Sequence, residues 1–359
     1  MQSGYQEETE RLRKIEYYRR WEQVKLSHPL RQLFWECTLR CNMECLHCGS
    51  DCRSSKTIAD MPLADFLRVL DEVTCHVDPE RVLVNTVGGE PLVRKDIVEC
   101  GREITRRGFL WGMVTNGYLL TADMLERLLK AGLCTIAVSL DGLEPEHNWL
   151  RGNKNSFYHA VEAIKLLVQS ESLTWDVITC VNKRNLSRLD ELKGLLVRLG
   201  VKHWRCTTIF PSGRAAGNGE LLLDDEEMTA LMEFIVKVRS EGNIDVEYGC
   251  DGYMGRYEGK VRNYYYHCLA GITVASILSN GDISGCLSIR SCYNQGNIYT
   301  DSFWKVWNEK FRVYRDLEWK RAGDCAKCGE FDFCQGNGMH LRRDDGSLML
   351  CHFKKIRNL

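Results

Sequence analysis

From residue 33 to about residue 210, short apolar runs alternate with longer amphipathic stretches. The runs Leu33–Trp35, Arg81–Asn85, Trp111–Thr115, Thr135–Leu140, Trp175–Val181 and Trp204–Ile209 predict buried strands, and the stretches 62–75, 94–107, 122–131, 156–170 and 188–199 predict helices. Regular strand–helix alternation predicts a parallel sheet with helices outside it. Six such units predict an α/β fold built as a partial (β/α)6 barrel of TIM type. A further helix at 224–239 opens on acids, as a helix N-terminus prefers. Ahead of the barrel, residues 5–27 are charged, with Leu12, Ile15, Tyr18 and Trp21 recurring every three positions, a helix with a narrow apolar stripe. That stripe either packs on the body of the protein or docks a peptide, and it is too short for an independent peptide-recognition domain. Near residue 240 helical periodicity gives way to glycine and aromatic residues (EYGCDGYMGRYEGKVRNYYYHC). The expected division is an N-terminal helix at 1–30, a barrel at 31–240 and a small cysteine-rich domain at 241–359.

In parallel barrels the chemistry sits at the carboxyl ends of the strands. The distinctive residues fall there: the Cys41 loop after the first strand, Gly88-Gly89-Glu90-Pro91 after the second, Thr115-Asn116-Gly117 after the third. Ser139-Leu140-Asp141-Gly142 ends the fourth, Asn182 the fifth, and Pro211-Ser212-Gly213-Arg214 the sixth. Turn chemistry accounts for any one of these. Six in register point to one site.

Composition narrows the chemistry. A formal net charge of −1 over 359 residues gives no electrostatic reason for nucleic acid or an anionic membrane as the main partner. No apolar run approaches a bilayer span, and the first residues (MQSGYQEETERLRK) lack a signal-peptide core, so a cytoplasmic protein is expected. The outlier is cysteine, at 18 residues. Without an export signal, clustered cysteines point to metal rather than disulfides. They gather at Cys37 to Cys52 and at Cys250 to Cys351, while Cys75, Cys100, Cys134, Cys180 and Cys206 stand apart and are read as small buried hydrophobes.

Cys41, Cys45 and Cys48 sit on one short loop with three and then two residues between them. Three thiolates hold three irons of a cubane and leave the fourth without a protein ligand, whereas ordinary electron-transfer clusters use four cysteines. This spacing resembles the radical SAM family. The resemblance implies that the open iron chelates S-adenosylmethionine and that one electron cleaves it to methionine and a 5′-deoxyadenosyl radical. It further implies that Gly88, Gly89 and Glu90 contact the ammonium of the cofactor. An ammonium wants acceptors, and glycines let carbonyls approach closely. Ser139 and Asp141 are placed for its hydroxyls or carboxylate, and Arg151 for the carboxylate by fork geometry, with a surface salt bridge as the plainer role. Thr115 and Asn116 join this wall or merely cap a helix, and Asn182 is counted with the cofactor residues. His47 is read as shielding the cluster. Cys37 and Cys52 are read as non-ligands, because a fourth thiolate would block the cofactor.

In the second group, Cys268 is followed by twelve residues, Gly281, four residues and Cys286; then come Cys325-Ala-Lys-Cys328, five residues, Cys334, and finally Cys351. A zinc ribbon is one reading of such pairs. The pattern is also similar to the SPASM extension of radical SAM enzymes, which implies one or two auxiliary 4Fe-4S clusters. By that resemblance Cys325, Cys328, Cys334 and Cys351 ligate the outer one. Cys268 and Cys286 match the inner one, whose usual last cysteine is replaced by Gly338. Cys292 or Cys250 would complete the inner set, with His267 and His340 as weaker candidates. Leu287 stands where the sulfatase-maturing branch carries an acid.

The resemblance implies an oxidoreductase or maturase that modifies a peptide or protein side chain by cross-linking, oxidation or epimerisation. Auxiliary clusters would carry electrons, and a flavodoxin or ferredoxin would supply them. The stretches FWECTLRCNMECLHCGSDC and CQGNGMH also resemble a subgroup associated with a small lipoprotein. Two alternatives stay open: a radical SAM enzyme acting on a tetrapyrrole or other small metabolite, and a non-catalytic iron–sulfur redox or scaffold protein. The latter would leave the GGEP and SLDG turns with nothing to bind.

Overall fold

The computed structural model describes residues 2–53, 59–249, 251–290 and 292–357. Six strand–helix units follow one another: β1 (Gln32–Thr38), α2 (Leu63–Thr74), β2 (Leu83–Gly88), α3 (Ile97–Arg106), β3 (Leu110–Thr115), α4 (Ala122–Lys130) and β4 (Leu133–Ser139). Next come α5 (Glu144–Arg151), α6 (Ser156–Val168), β5 (Thr174–Val181), α7 (Leu189–Leu199), β6 (His203–Thr208) and α8 (Asp225–Glu241). Ahead of them lies α1 (Gln2–Ser27), and after them β7 (Asp245–Tyr248), β8 (Val274–Ile277), β9 (Asp282–Ser284), β10 (Gly296–Asn297) and α9 (Phe303–Glu309). The expected mixed α/β architecture is therefore present.

The strands pair in the order β10-β9-β8-β1-β2-β3-β4-β5-β6-β7, and β1 to β6 are parallel throughout. Buried on both faces, such strands read as apolar runs. Leu33, Trp35, Val84, Trp111, Met113, Ile136, Val138, Val177 and Trp204 are sealed from solvent, and the Trp35 and Phe66 rings stack at 4.2 Å between β1 and α2. The sheet does not stop where the texture of the sequence changes. β7 adds a parallel strand to β6, and β8 pairs in parallel with β1, so the cysteine-rich segment continues the sheet at both edges.

Two differences from the apolar pattern have local causes. β1 runs on to Thr38 past the apolar run, because the fully buried Glu36 accepts from the Ser279 amide and pairs with Arg290. α5 was not expected from periodicity; Pro145 lies in its first turn, where a missing N–H costs nothing, and Gly152 ends it at φ 64°.

Of the stripe on α1, Tyr18 and Trp21 are buried while Leu12 and Ile15 face outward. The Tyr18 hydroxyl donates to the Tyr266 carbonyl at 2.7 Å, and Trp21 stacks on His267 at 3.6 Å. The helix thus packs on the cysteine-rich segment. Among the isolated cysteines, Cys100 and Cys206 are buried as expected and Cys134 and Cys180 partly so. Cys75 is exposed, because it follows the last turn of α2 and points its thiol at the Asp71 carbonyl, 3.4 Å away. Among the described residues no helix is long and apolar enough to cross a membrane.

Candidate active site

A cavity of about 390 Å³ opens at the carboxyl ends of the strands. Cys41, Cys45 and Cys48 line it together with Gly88, Gly89, Glu90, Thr115, Asn116, Ser139 and Arg151. Loops from four strand ends and helix α5 therefore meet where strand–helix alternation places them.

The glycines are there because backbone passes where side chains would be. A Cβ on Gly88 would lie 2.1 Å from the Thr38 carbonyl oxygen, and one on Gly89 would lie 2.1 Å from that of Arg40. Both contacts are impossible, so the second strand turn can close on the cysteine loop only with glycine at these positions. The closure is hydrogen-bonded: the Gly89 amide donates to Thr38 O at 2.8 Å and the Glu90 amide to Arg40 O at 3.0 Å. The Glu90 carboxylate is buried and accepts from Thr115 Oγ1 (2.7 Å), Asn116 N (2.8 Å) and Leu92 N (3.1 Å), which ties the second strand turn to the third. Burial pushes its pKa up against these three donors. Asn116 reaches back with its amide to Asn42 Oδ1 at 2.8 Å, on the cysteine loop itself.

Two residues expected to touch the cofactor do not border the cavity. Asp141 is fully buried behind it: Oδ2 accepts from Arg151 Nε at 2.6 Å and Oδ1 from the Cys180 amide at 2.9 Å. Burial alone would raise its pKa, but the adjacent Arg151 guanidinium holds it at about 2. Arg151 then extends Nη1 to within 3.8 Å of Cys45 Sγ, so Asp141 acts through Arg151. Asn182 is likewise turned into its own loop, its amide donating to Asn185 Oδ1 at 2.8 Å and its side-chain oxygen accepting from the Arg184 amide. The surface salt bridge considered for Arg151 is replaced by a buried one. Behind it lies His147, whose Nδ1 accepts from the Asp141 amide at 3.0 Å; burial lowers its pKa to about 3, so the ring is neutral.

The sixth strand turn holds the loop from the other side. Arg214 donates from Nε to Cys45 O at 2.7 Å, from Nη1 to Cys52 O at 2.9 Å, and from its amide to Cys48 O at 3.0 Å. Its position after a strand marked it as part of the site, but nothing in the sequence assigned it this clasp. His47 borders the cavity with Nδ1 buried and unpartnered, and burial lowers its pKa to about 4. Cys52 borders it too, and its hydrogen bond lowers the Cys48 thiol, whereas burial raises the Cys41 and Cys45 thiols. Cys37 is wholly inside the core. Three converging thiols facing a glycine-lined, polar wall fit a cubane with one open iron and a cofactor carrying an ammonium and a carboxylate.

A second cavity, of about 300 Å³, is lined by Cys325, Cys328, Cys334 and Cys351, the complete set for a four-thiolate cluster. The inner set is different. Cys268 and Cys286 pack against the main core, and burial together with the nearby Cys268 raises the Cys286 thiol. Cys292 is exposed and aims its thiol at the Asp344 carbonyl, 3.6 Å away, whereas Cys268 and Cys286 are partly buried. Cys250 lies outside the described residues. At Gly338 a Cβ would meet His340 Cε1 at 2.6 Å, so an imidazole fills the place of the expected cysteine. His267 is taken up by α1, through Trp21 and a 3.1 Å contact with the Tyr17 hydroxyl.

Comparison with known proteins gives the same outline. Residues 35–196 match the radical SAM superfamily, and residues 268–329 match the SPASM iron–sulfur cluster-binding domain. The AdoMet-dependent heme synthase of Methanosarcina barkeri is 28% identical over 333 residues, covering 87% of this chain and 92% of that protein. The mycofactocin maturase MftC of Mycolicibacterium smegmatis is 31% identical over 317 residues, covering 86% and 77%. Among solved structures, Streptococcus suis SuiB bound to precursor peptide SuiA aligns with a TM-score of 0.67 at 19% identity, covering 88% of this chain and 74% of that one, a likeness of fold.

Proposed function

The chain belongs to the radical SAM superfamily and carries a SPASM domain, and from that premise we propose that it modifies a side chain of a peptide or small protein. It is an enzyme of 4Fe-4S clusters and S-adenosylmethionine. In this reading Cys41, Cys45 and Cys48 hold the reactive cluster, and Gly88, Gly89, Thr115, Asn116, Ser139 and Arg151 hold the cofactor. When bound, the pair supplies a 5′-deoxyadenosyl radical that removes a substrate hydrogen. The protein's own part is orientation and exclusion of water. Arg151, fixed by Asp141, presents a guanidinium fork to a carboxylate. Arg214 keeps the cysteine loop closed, and Phe34, Val87, Val114 and Phe210 supply apolar walls.

The observation that carries the peptide reading is a second, more open groove of about 690 Å³ that shares Gly49 and Ser288 with the reaction cavity. A reacting side chain can enter the cavity while its flanking backbone lies in the groove. The MftC relative is named as a maturase and SuiB was solved with a precursor peptide, which favours the same class. The heme synthase relative supports a second reading, in which a tetrapyrrole occupies this space. The segments 1–30, 31–240 and 241–359 are proposed as functional units, the last two sharing one continuous sheet. A flavodoxin or ferredoxin as donor, and a cytoplasmic setting, complete the reading.

The test is anaerobic reconstitution with S-adenosylmethionine and a reductant, followed by assay of 5′-deoxyadenosine. Well-reconstituted protein that forms none refutes the enzyme reading. Stimulation by short peptides encoded beside the gene, with deuterium passing from labelled peptide to deoxyadenosine, supports the peptide. Stimulation by an iron coproporphyrin alone supports the tetrapyrrole.

A further inference from the structure

Two cations lie buried beside the outer cysteine cavity, and among the described residues neither has a carboxylate within ion-pair distance. Lys320 is fully buried, and its Nζ donates to the Asn337 carbonyl at 3.1 Å. Arg342 is 6% exposed and donates from Nη2 to Cys325 Sγ at 3.5 Å and to Gly336 O at 2.6 Å, and from Nη1 to Gly346 O at 2.9 Å. Its Nε is buried with no partner. Among the described residues neither cation forms a salt bridge; Lys354 and Asp324, on the rim of the same cavity, pair with each other at 2.8 Å and are exposed.

A buried charge is costly unless an opposite charge compensates it. Burial lowers the Lys320 pKa, and the charges that act on it most are Cys268, the Arg342 cation, Cys334 and Cys325. The anions that offset these two residues are therefore thiolates, Cys268 of the inner pair and Cys334 and Cys325 of the cavity. A 4Fe-4S cluster with four thiolates is a dianion that becomes a trianion on reduction, so fixed positive charge favours the reduced form. Cluster potentials respond to local charge, to hydrogen bonds onto sulfur and to burial, and all three act here.

We propose that Lys320 and Arg342 are positioning residues that raise the reduction potential of the outer auxiliary cluster and so draw the electron towards it. The inference rests on the assignment of Cys325, Cys328, Cys334 and Cys351 as its ligands. Lys320 also acts on Cys268, so its charge is shared with the inner thiols, whereas Arg342 touches a thiol of the outer set, Cys325. No bond is made or broken; one electron moves and the fixed cations offset the added charge.

The experiment uses the full chain with Cys41, Cys45 and Cys48 replaced by Ala, so that auxiliary signals are read alone. Iron and sulfide are counted, and the reduction potential is followed by electron paramagnetic resonance. Lys320→Met and Arg342→Met are each expected to keep their iron and to lower the potential by the equivalent of about a tenfold change in the reduction equilibrium, 59 mV for one electron. Lys320→Arg and Arg342→Lys are expected to stay near the parent. Unmoved potentials in the iron-loaded Met variants overturn the inference. If the Met variants lose iron, retention in the charge-conserving variants supports it and loss in those too overturns it. A parent protein holding no auxiliary iron refutes the ligand assignment, and with it the inference.

Discussion

The barrel cavity and the outer auxiliary cavity are both lined by cysteines, yet they are built for different tasks. The barrel cavity offers three thiols from one loop and faces them with a polar wall drawn from the strand ends. The outer cavity offers four thiols from two segments and backs them with Lys320 and Arg342. Three ligands leave a coordination place for a reactant, whereas four close the cluster and leave only its potential to be set. On the proposed reading, ligand number separates a place of reaction from a place of electron storage, and the surroundings differ in kind: acceptors and the Arg151 guanidinium in the first, Lys320 and Arg342 in the second.

Replacing Cys41, Cys45 and Cys48 with Ala breaks this comparison most completely. Deoxyadenosine formation should fall below detection while the absorbance of the auxiliary site persists. Iron counting on the same protein checks the other half. Loss of all iron would show that the two cavities do not bind independently.

Asp141→Asn tests the wall rather than the ligands. Removing one member of a buried pair leaves Arg151 uncompensated, and stability should fall by about 3–5 kcal/mol. The affinity for S-adenosylmethionine should weaken as well, because Arg151 loses its 2.6 Å partner while its neighbour Cys45 stays in place. Anaerobic chemical denaturation and cofactor binding read the two effects. A variant of unchanged stability and affinity would return Asp141 to a passive role.

A smaller effect follows from acid. His147 and His340 are buried and neutral, with pKa values lowered from 6.5 to about 3 and about 4. Between pH 6.5 and these values the unfolded chain takes up protons that the folded chain refuses. Their contribution is therefore complete above pH 6.5 and is lost as the pH falls towards 4, by about 1.4 kcal/mol per pH unit for each histidine. Asp141 titrates lower, and its share is lost only as the pH drops from 3.8 towards about 2. Denaturation midpoints across pH 4 to 7 should slope accordingly, and His147→Gln should flatten the slope by about one proton. A flat profile would place these rings in contact with water.

The barrel was legible because its strands are buried on both faces and therefore read as apolar runs, and because three cysteines at fixed spacing have few other uses. What was not legible lies in side chains whose role depends on a partner distant in sequence. Asp141 and Arg151 are ten positions apart on either side of a turn, and only the fold shows that the acid serves the arginine rather than the cofactor. Arg214 lies 169 positions from the carbonyl it holds, on Cys45. Lys320 and Arg342 carry no mark in the sequence that sets them apart from the other cations of their segment. β7 and β8 are four residues each, too short for periodicity to announce, so the continuity of the sheet into the cysteine-rich segment was invisible.

The mildest prediction concerns the inner auxiliary pair. Sequence spacing offers Cys292 as a ligand beside Cys268 and Cys286, six positions beyond the second of these. The fold places its thiol at the surface, 3.6 Å from the Asp344 carbonyl, whereas the pair is held against the core. A ligand must point into the same volume as its companions, and an exposed thiol turned towards a carbonyl on another loop does not. Cys292→Ser should therefore leave iron content, auxiliary spectra and stability unchanged, since surface substitutions away from special features usually stay within about 0.5 kcal/mol. Loss of about four irons per chain, the content of one cubane, would instead place Cys292 in a cluster. The inner site would then resemble the outer one more closely than its two partly buried thiols and the imidazole at Gly338 suggest.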